Sequence, residues 1–89
     1  MDGIEVTDQG DGTFRVTVTD GRSTSTHTVT VDPEDSSGLP AGTSDKDLVK
    51  ASFRFLLDRE AKESIMSRFD LSVIGRFFPE YPGRIGDYL

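Results

Sequence analysis

Apolar and polar positions alternate through the first third of the chain, and the period then changes. The segments IEV, TFRVTVT and STHTVTV alternate Val, Ile, Phe or His with Thr, Ser, Arg or Glu. A period of two is the signature of strands buried on one face, and Thr and Val suit a pleated surface. Asp20-Gly21, between the last two segments, predicts a hairpin because both residue types tolerate positive φ. A two-residue turn would pair Phe14 with His27, and a four-residue turn would pair Phe14 with Val29. Both registers keep parity, so Phe14, Val16, Val18, His27, Val29 and Val31 share one face, and Arg15, Thr17, Thr28 and Thr30 share the other. A first strand around Ile4 and Val6 joins through the loop at 8–12, giving a three-stranded antiparallel meander over residues 1–31. Its apolar face must be covered by something else in the fold.

Residues 32–45, DPEDSSGLPAGTSD, have no apolar period and read as a flexible polar loop. A helix over 46–58 follows, with Ser44 as N-cap and Asp47 completing a capping-box-like pair. At about 100° per residue, Asp47, Lys50, Arg54 and Asp58 fall within an arc of roughly 80°, while apolar residues fill most of the remainder. A surface helix needs an apolar stripe of only about 100°, so this one is contacted from more than one side. Ala61, Ile65, Met66 and Phe69 predict a short second helix over 61–69. Asp70 can cap a third, on which Leu71, Ile74, Phe78 and Tyr81 recur, and Pro79 ends or tightens it near Phe78. Pro82-Gly83 marks a turn into a tail at 83–89. The expected fold is therefore α+β: a three-stranded antiparallel meander followed by three helices (βββααα), one domain with one core, its helical layer spanning 46–82.

Composition narrows the functional classes. With 89 residues and 34% hydrophobic content, the chain is near the size at which one core suffices. Cysteine is absent, which excludes disulfides and thiolate sites and fits a reducing cytoplasm. The start, MDGIEV, lacks a signal-peptide pattern, and no apolar run approaches the length of a membrane span. The expectation is a cytoplasmic protein with no membrane contact. Net charge is −6, concentrated in residues 1–47, which carry ten acids against three bases. Such a surface repels phosphate backbones and anionic lipid, a disadvantage for nucleic-acid binding.

Candidate chemistry is sparse. His27 is the single histidine and falls on the apolar sheet face, without a defined orienting partner. Asp8, Asp11, Asp32, Glu34 and Asp35 could gather near one end of the sheet, but DQGDG lacks the ligand spacing of a calcium loop. Gly10 and Gly12 lie in a hairpin and cannot form a phosphate cradle between a strand and a helix. No catalytic residue, metal or cofactor is implied. The segment KESIMSRFDLSVIGRFF suggests a helix pair over 62–78 with Arg68 and Arg76, loosely like a helix-turn-helix, but without a turn glycine or an overall basic charge. Seven of the eight aromatic residues follow position 52. Phe77 and Phe78 are adjacent and point about 100° apart on a helix, so with Tyr81 they mark either a wrapped core or a contact surface rich in aromatics.

SFRFLLDRE followed by ESIMSRFDLSVIGRFFPEY resembles the C-terminal half of a family of small bacterial and archaeal proteins whose N-terminal halves are Thr/Val-rich hairpins. The resemblance implies a proline in relatives at the position of Ala61, hence a break between the first two helices. It implies no activity and no functional residue. In architecture alone the expected fold is also similar to HicB-like antitoxin domains, in which a three-stranded sheet packs a helix and binds a partner protein. The leading expectation is a non-enzymatic protein-interaction or regulatory module, homodimeric in one form, with Phe77, Phe78, Tyr81, Arg76 and Arg68 as its contact surface. The alternatives are nucleic-acid binding through 62–78 and a metal-assisted enzyme built on His27 and the acidic loops.

Overall fold

Strands β1 (Gly3–Asp8), β2 (Thr13–Asp20) and β3 (Ser23–Thr30) form antiparallel pairs in chain order in the computed structural model, which describes residues 3–21, 23–36 and 39–89. Asp20 lies opposite Ser23, which sets Phe14 against Val29 and Val16 against His27. Of the two registers open to the sequence, the one pairing Phe14 with Val29 forms, and it needs only two residues between the strands. Gly21 supplies the positive φ of 59° that so tight a turn requires. Arg22, in that turn, and residues 37 and 38 of the following loop lie outside the described residues. Val6, Phe14, Val16, Val18, His27, Val29 and Val31 are buried together on one face, as their parity dictates.

The expected order of a three-stranded meander and three helices is not the observed fold. Residues 61–69 form no helix. A single 3-10 turn, Lys62–Ser64, leads into extended chain and then β4 (Arg68–Asp70), which adds to the outer edge of β3 in parallel, with Phe69 opposite Val29. The sheet is four-stranded and mixed, in the order β1-β2-β3-β4. The reason lies in an ambiguity of spacing. Ala61, Ile65 and Phe69 are four apart, which suits a helix turn and an alternating strand equally. Leu71 decides it: Phe69 and Leu71 are buried while Arg68 and Asp70 are exposed, a period of two, and Met66, which a helix would bury, is 44% exposed. The amide of Thr28 donates to the Ser67 carbonyl at 2.8 Å and that of Leu71 to the Thr30 carbonyl at 2.9 Å, so β4 satisfies an edge that would otherwise be open.

Parallel neighbours need a long crossover, usually helical. Here it is α1 (Asp45–Leu57), which starts where the Ser44 Oγ accepts from the Asp47 amide at 3.0 Å. Asp45 and Asp47 in its first turn and Arg54 in its last oppose the helix dipole favourably. After β4 come α2 (Val73–Phe77) and α3 (Tyr81–Arg84), then a 3-10 turn Ile85–Tyr88 that buries Ile85. The Phe78 amide closes α2 onto the Ile74 carbonyl at 2.8 Å, and Pro79 follows directly. The parallel strand has a direct check: the amides of Thr28 and Leu71 are expected to be protected from hydrogen exchange, with cross-strand proximity between Val29 and Phe69 by NMR. Helical sequential contacts running through 65–70 would overturn it.

Candidate contact surface

Helix α1 buries two phenylalanines in opposite directions, and they organise everything around the surface. Phe53 faces the sheet, with its ring 5.3 Å from that of His27 and 6.0 Å from that of Phe69. Phe55 faces the C-terminal segment and meets Phe78, Tyr81 and Tyr88 edge-on, at 5.9, 5.2 and 5.7 Å. Such edge-to-face pairs contribute about 0.5–1.5 kcal/mol each beyond area burial. The Arg59 guanidinium lies 3.7 Å from the centre of the same ring, donates to the Phe55 carbonyl at 3.2 Å and pairs with Glu80 at 3.1 Å. Tyr88 donates to Asp58 at 2.7 Å, so the chain beyond residue 82 is fastened to the end of α1.

The five residues singled out from the sequence separate on this scaffold. Phe78 and Tyr81 turn inward on Phe55. The Ser52 hydroxyl has one proton and gives it to the Leu48 carbonyl at 2.7 Å, so the Tyr81 hydroxyl donates to Ser52 Oγ, also at 2.7 Å. Phe77 points outward and is 66% exposed, with exposed Arg76 beside it. Arg68 is exposed on β4, away from α2 in sequence and on a different element. The helix pair at 62–78 does not exist, because a strand replaces its first member. Beside Phe77 a groove of about 180 Å³ runs between the end of α1, the extended chain before β4, and α2. Leu56, Ile65, Phe69 and Ile74 lie along it, Met66 and Phe77 are its exposed apolar residues, and Glu60 adds the one carboxylate.

His27 and the acidic loops do not converge. The His27 ring is 3% exposed. Its Nδ1 faces the Met66 carbonyl at 2.8 Å, and a carbonyl only accepts, so Nδ1 carries the proton. Nε2 then accepts from the Ser25 hydroxyl at 2.8 Å. Both ring nitrogens are thus occupied: Nε2 within β3, and Nδ1 in tying β3 to the chain that leads into β4. Among the described residues, no group of three or more His, Asp or Glu side chains is placed to hold a metal ion. No described helix is long and apolar enough to cross a membrane.

Sequence reasoning passed over Lys62. It is buried at 3% exposure, with Nζ donating to Ser23 Oγ and pairing with the exposed carboxylate of Glu63. The contact joins the β2–β3 turn to the chain after α1. Only the position of Lys62 one residue past the expected helix break hinted at a structural role. Met66, expected among the apolar positions of a second helix, is exposed by the same shift from helix to strand.

No protein-family model matches the chain, and no curated protein or solved structure matches it.

Two stability measurements test this arrangement. His27→Ala removes a ring contact and two hydrogen bonds, and is expected to lower the unfolding free energy by about 3 kcal/mol in urea titrations; a change below about 0.5 kcal/mol, the scale of a surface substitution, would show that the link carries nothing. The second concerns alkaline pH. Burial pushes the Tyr81 hydroxyl above the ordinary tyrosine value, so its contribution is complete below about pH 10, where unfolded tyrosine ionises, and drains away as pH rises toward the folded value. Wild type should therefore lose stability relative to Tyr81→Phe as pH rises above about 10. Parallel stability curves for the two proteins over that range would contradict the buried hydroxyl.

Proposed function

We propose that the protein is a non-enzymatic interaction module that self-associates weakly through Phe77 and the groove beside it. The observation that carries this reading is Phe77 itself, 66% exposed at the lip of an apolar groove of about 180 Å³. A cavity of about 150 Å³ accepts a benzene ring in another protein, so the groove has room for one phenyl side chain. Each copy thus carries both a knob and a hole, the requirement for a two-fold contact in which the same patch meets itself.

Charge supports the same occupant. Arg76 flanks the knob, Glu60 lines the hole, and neither has an ion-pair partner among the described residues. A two-fold pairing brings the cation of one copy toward the anion of the other. The patch is small: one aromatic ring and a Met with the groove lining amount to a few hundred Å², roughly, against about 800 Å² per partner in a standard interface. Association in the range of about 10 μM to 1 mM is the expectation.

Sedimentation equilibrium over that range should show a monomer–dimer equilibrium. Phe77→Asp should abolish it while leaving thermal stability nearly unchanged, because the ring is outside the core. Arg76→Glu should weaken it and Arg76→Glu with Glu60→Arg should restore it. A wild-type monomer at about 1 mM would sink the proposal.

A further inference from the structure

The sheet has two edges, and they are not alike. β4 is a three-residue edge, too short to recruit another strand, whereas β1 is six residues long and among the described residues pairs only with β2. Natural edge strands are blunted by Pro, Lys, bulges or a covering helix. β1 contains neither Pro nor Lys, and its acids do little to guard the edge. Asp8 is turned back to accept from the Gly10 amide at 2.8 Å, and Glu5 lies on the outer, Thr-rich face opposite Thr17.

Helix α1 does not close the edge either. Between it and the start of β1 lies an open cleft of about 530 Å³, with Ile4, Val18 and Leu57 as apolar lining and Lys50 and Arg54 on the helix wall. Those two cations sit one helical turn apart and have no ion-pair partner among the described residues. The carboxylates that share the cleft, Asp20 and Glu60, belong to the turn end of β2 and to the chain beyond α1, and Lys62 there is committed to Ser23 and Glu63. An acidic stretch passing on the α1 side of β1 therefore meets unpaired positive charge from the helix, a local patch on an otherwise acidic surface in a chain whose net charge is −6.

We infer that the outer edge of β1 is a docking site for an extended acidic peptide segment of another protein, added as a fifth strand beside α1. Backbone pairing with β1 supplies affinity, and alternate side chains supply selectivity. Acids on the segment face Lys50 and Arg54. Its other face lies beside Glu5, so neutral or basic residues belong there. The site shares only Glu60 with the Phe77 groove, which involves neither β1 nor these cations.

The test is an NMR titration of the labelled full chain with a synthetic peptide of about eight residues, the length of a typical strand, alternating Asp and Val. Shifts are expected at the amides of β1 and at Lys50 and Arg54. Lys50→Glu with Arg54→Glu, half-buried and exposed positions of the polar helix stripe, should weaken binding about tenfold or more. A Lys/Val peptide, and the Asp/Val peptide N-methylated at alternate amides, should not bind. No shift at β1 with millimolar peptide, equal binding of the Lys/Val peptide, indifference to the double substitution, or shifts confined to residues around Phe77 would each overturn the inference, while the monomer–dimer equilibrium is read separately by sedimentation.

Discussion

Everything in this fold depends on α1 being buried from two sides at once. Phe53 and Phe55 are two residues apart, hence about 200° apart around a helix, and both are fully buried. No single sheet can cover both. The sheet takes Phe53 through His27 and Phe69, and the segment from Phe78 to Tyr88 takes Phe55. This is how a chain with only 34% hydrophobic residues builds a core. Its apolar content is concentrated in a few large rings around one helix, and fully burying such a side chain contributes about 1.5–3 kcal/mol.

That constraint explains why β4 exists. With α1 crossing the sheet, Phe53 needs a neighbour beyond β3, and Phe69 reaches it only from an added strand. His27 then becomes a structural tie: its ring fills the space against Phe53 while Nδ1 holds the Met66 carbonyl in line for pairing. A histidine at this point supplies an aromatic surface and two hydrogen-bonding edges, where phenylalanine would leave the Met66 carbonyl without this donor.

What could be read from the sequence follows the same division. Strict alternation at Phe14, Val16 and Val18 marked the sheet face for a two-residue or a four-residue turn alike, because both registers preserve parity. Ser44 marked the start of α1 to within one residue, since a cap is a local hydrogen bond. The excess of apolar positions on that helix correctly implied two covers. The second cover was not legible in detail. Ile65 and Phe69 satisfy helix and strand spacing alike, and only their long-range pairing with β3 separates the two, which no local pattern encodes. The same holds at the surface: adjacent Phe77 and Phe78 had to diverge, but which one would reach Phe55 depends on where Pro79 ends α2 relative to α1.

The exposed Phe77 is a cost that the rest of the design does not require. Phe78, Tyr81 and Tyr88 already surround Phe55, so a polar residue at position 77 would leave the core intact. Arg68, by contrast, sits where a polar side chain is ordinary, on the outer face of a short edge strand. The two proposed contacts also fall at opposite margins of the sheet, because the groove adjoins the chain entering β4 and the cleft opens beside β1. Three strand spacings of about 4.8 Å separate β1 from β4, and Glu60 is the one residue that lines both the groove and the cleft. Taken together, the two proposed contacts predict an assembly in which two-fold pairing doubles the number of β1 edges presented, which would raise avidity for a partner with repeated acidic segments without any new contact.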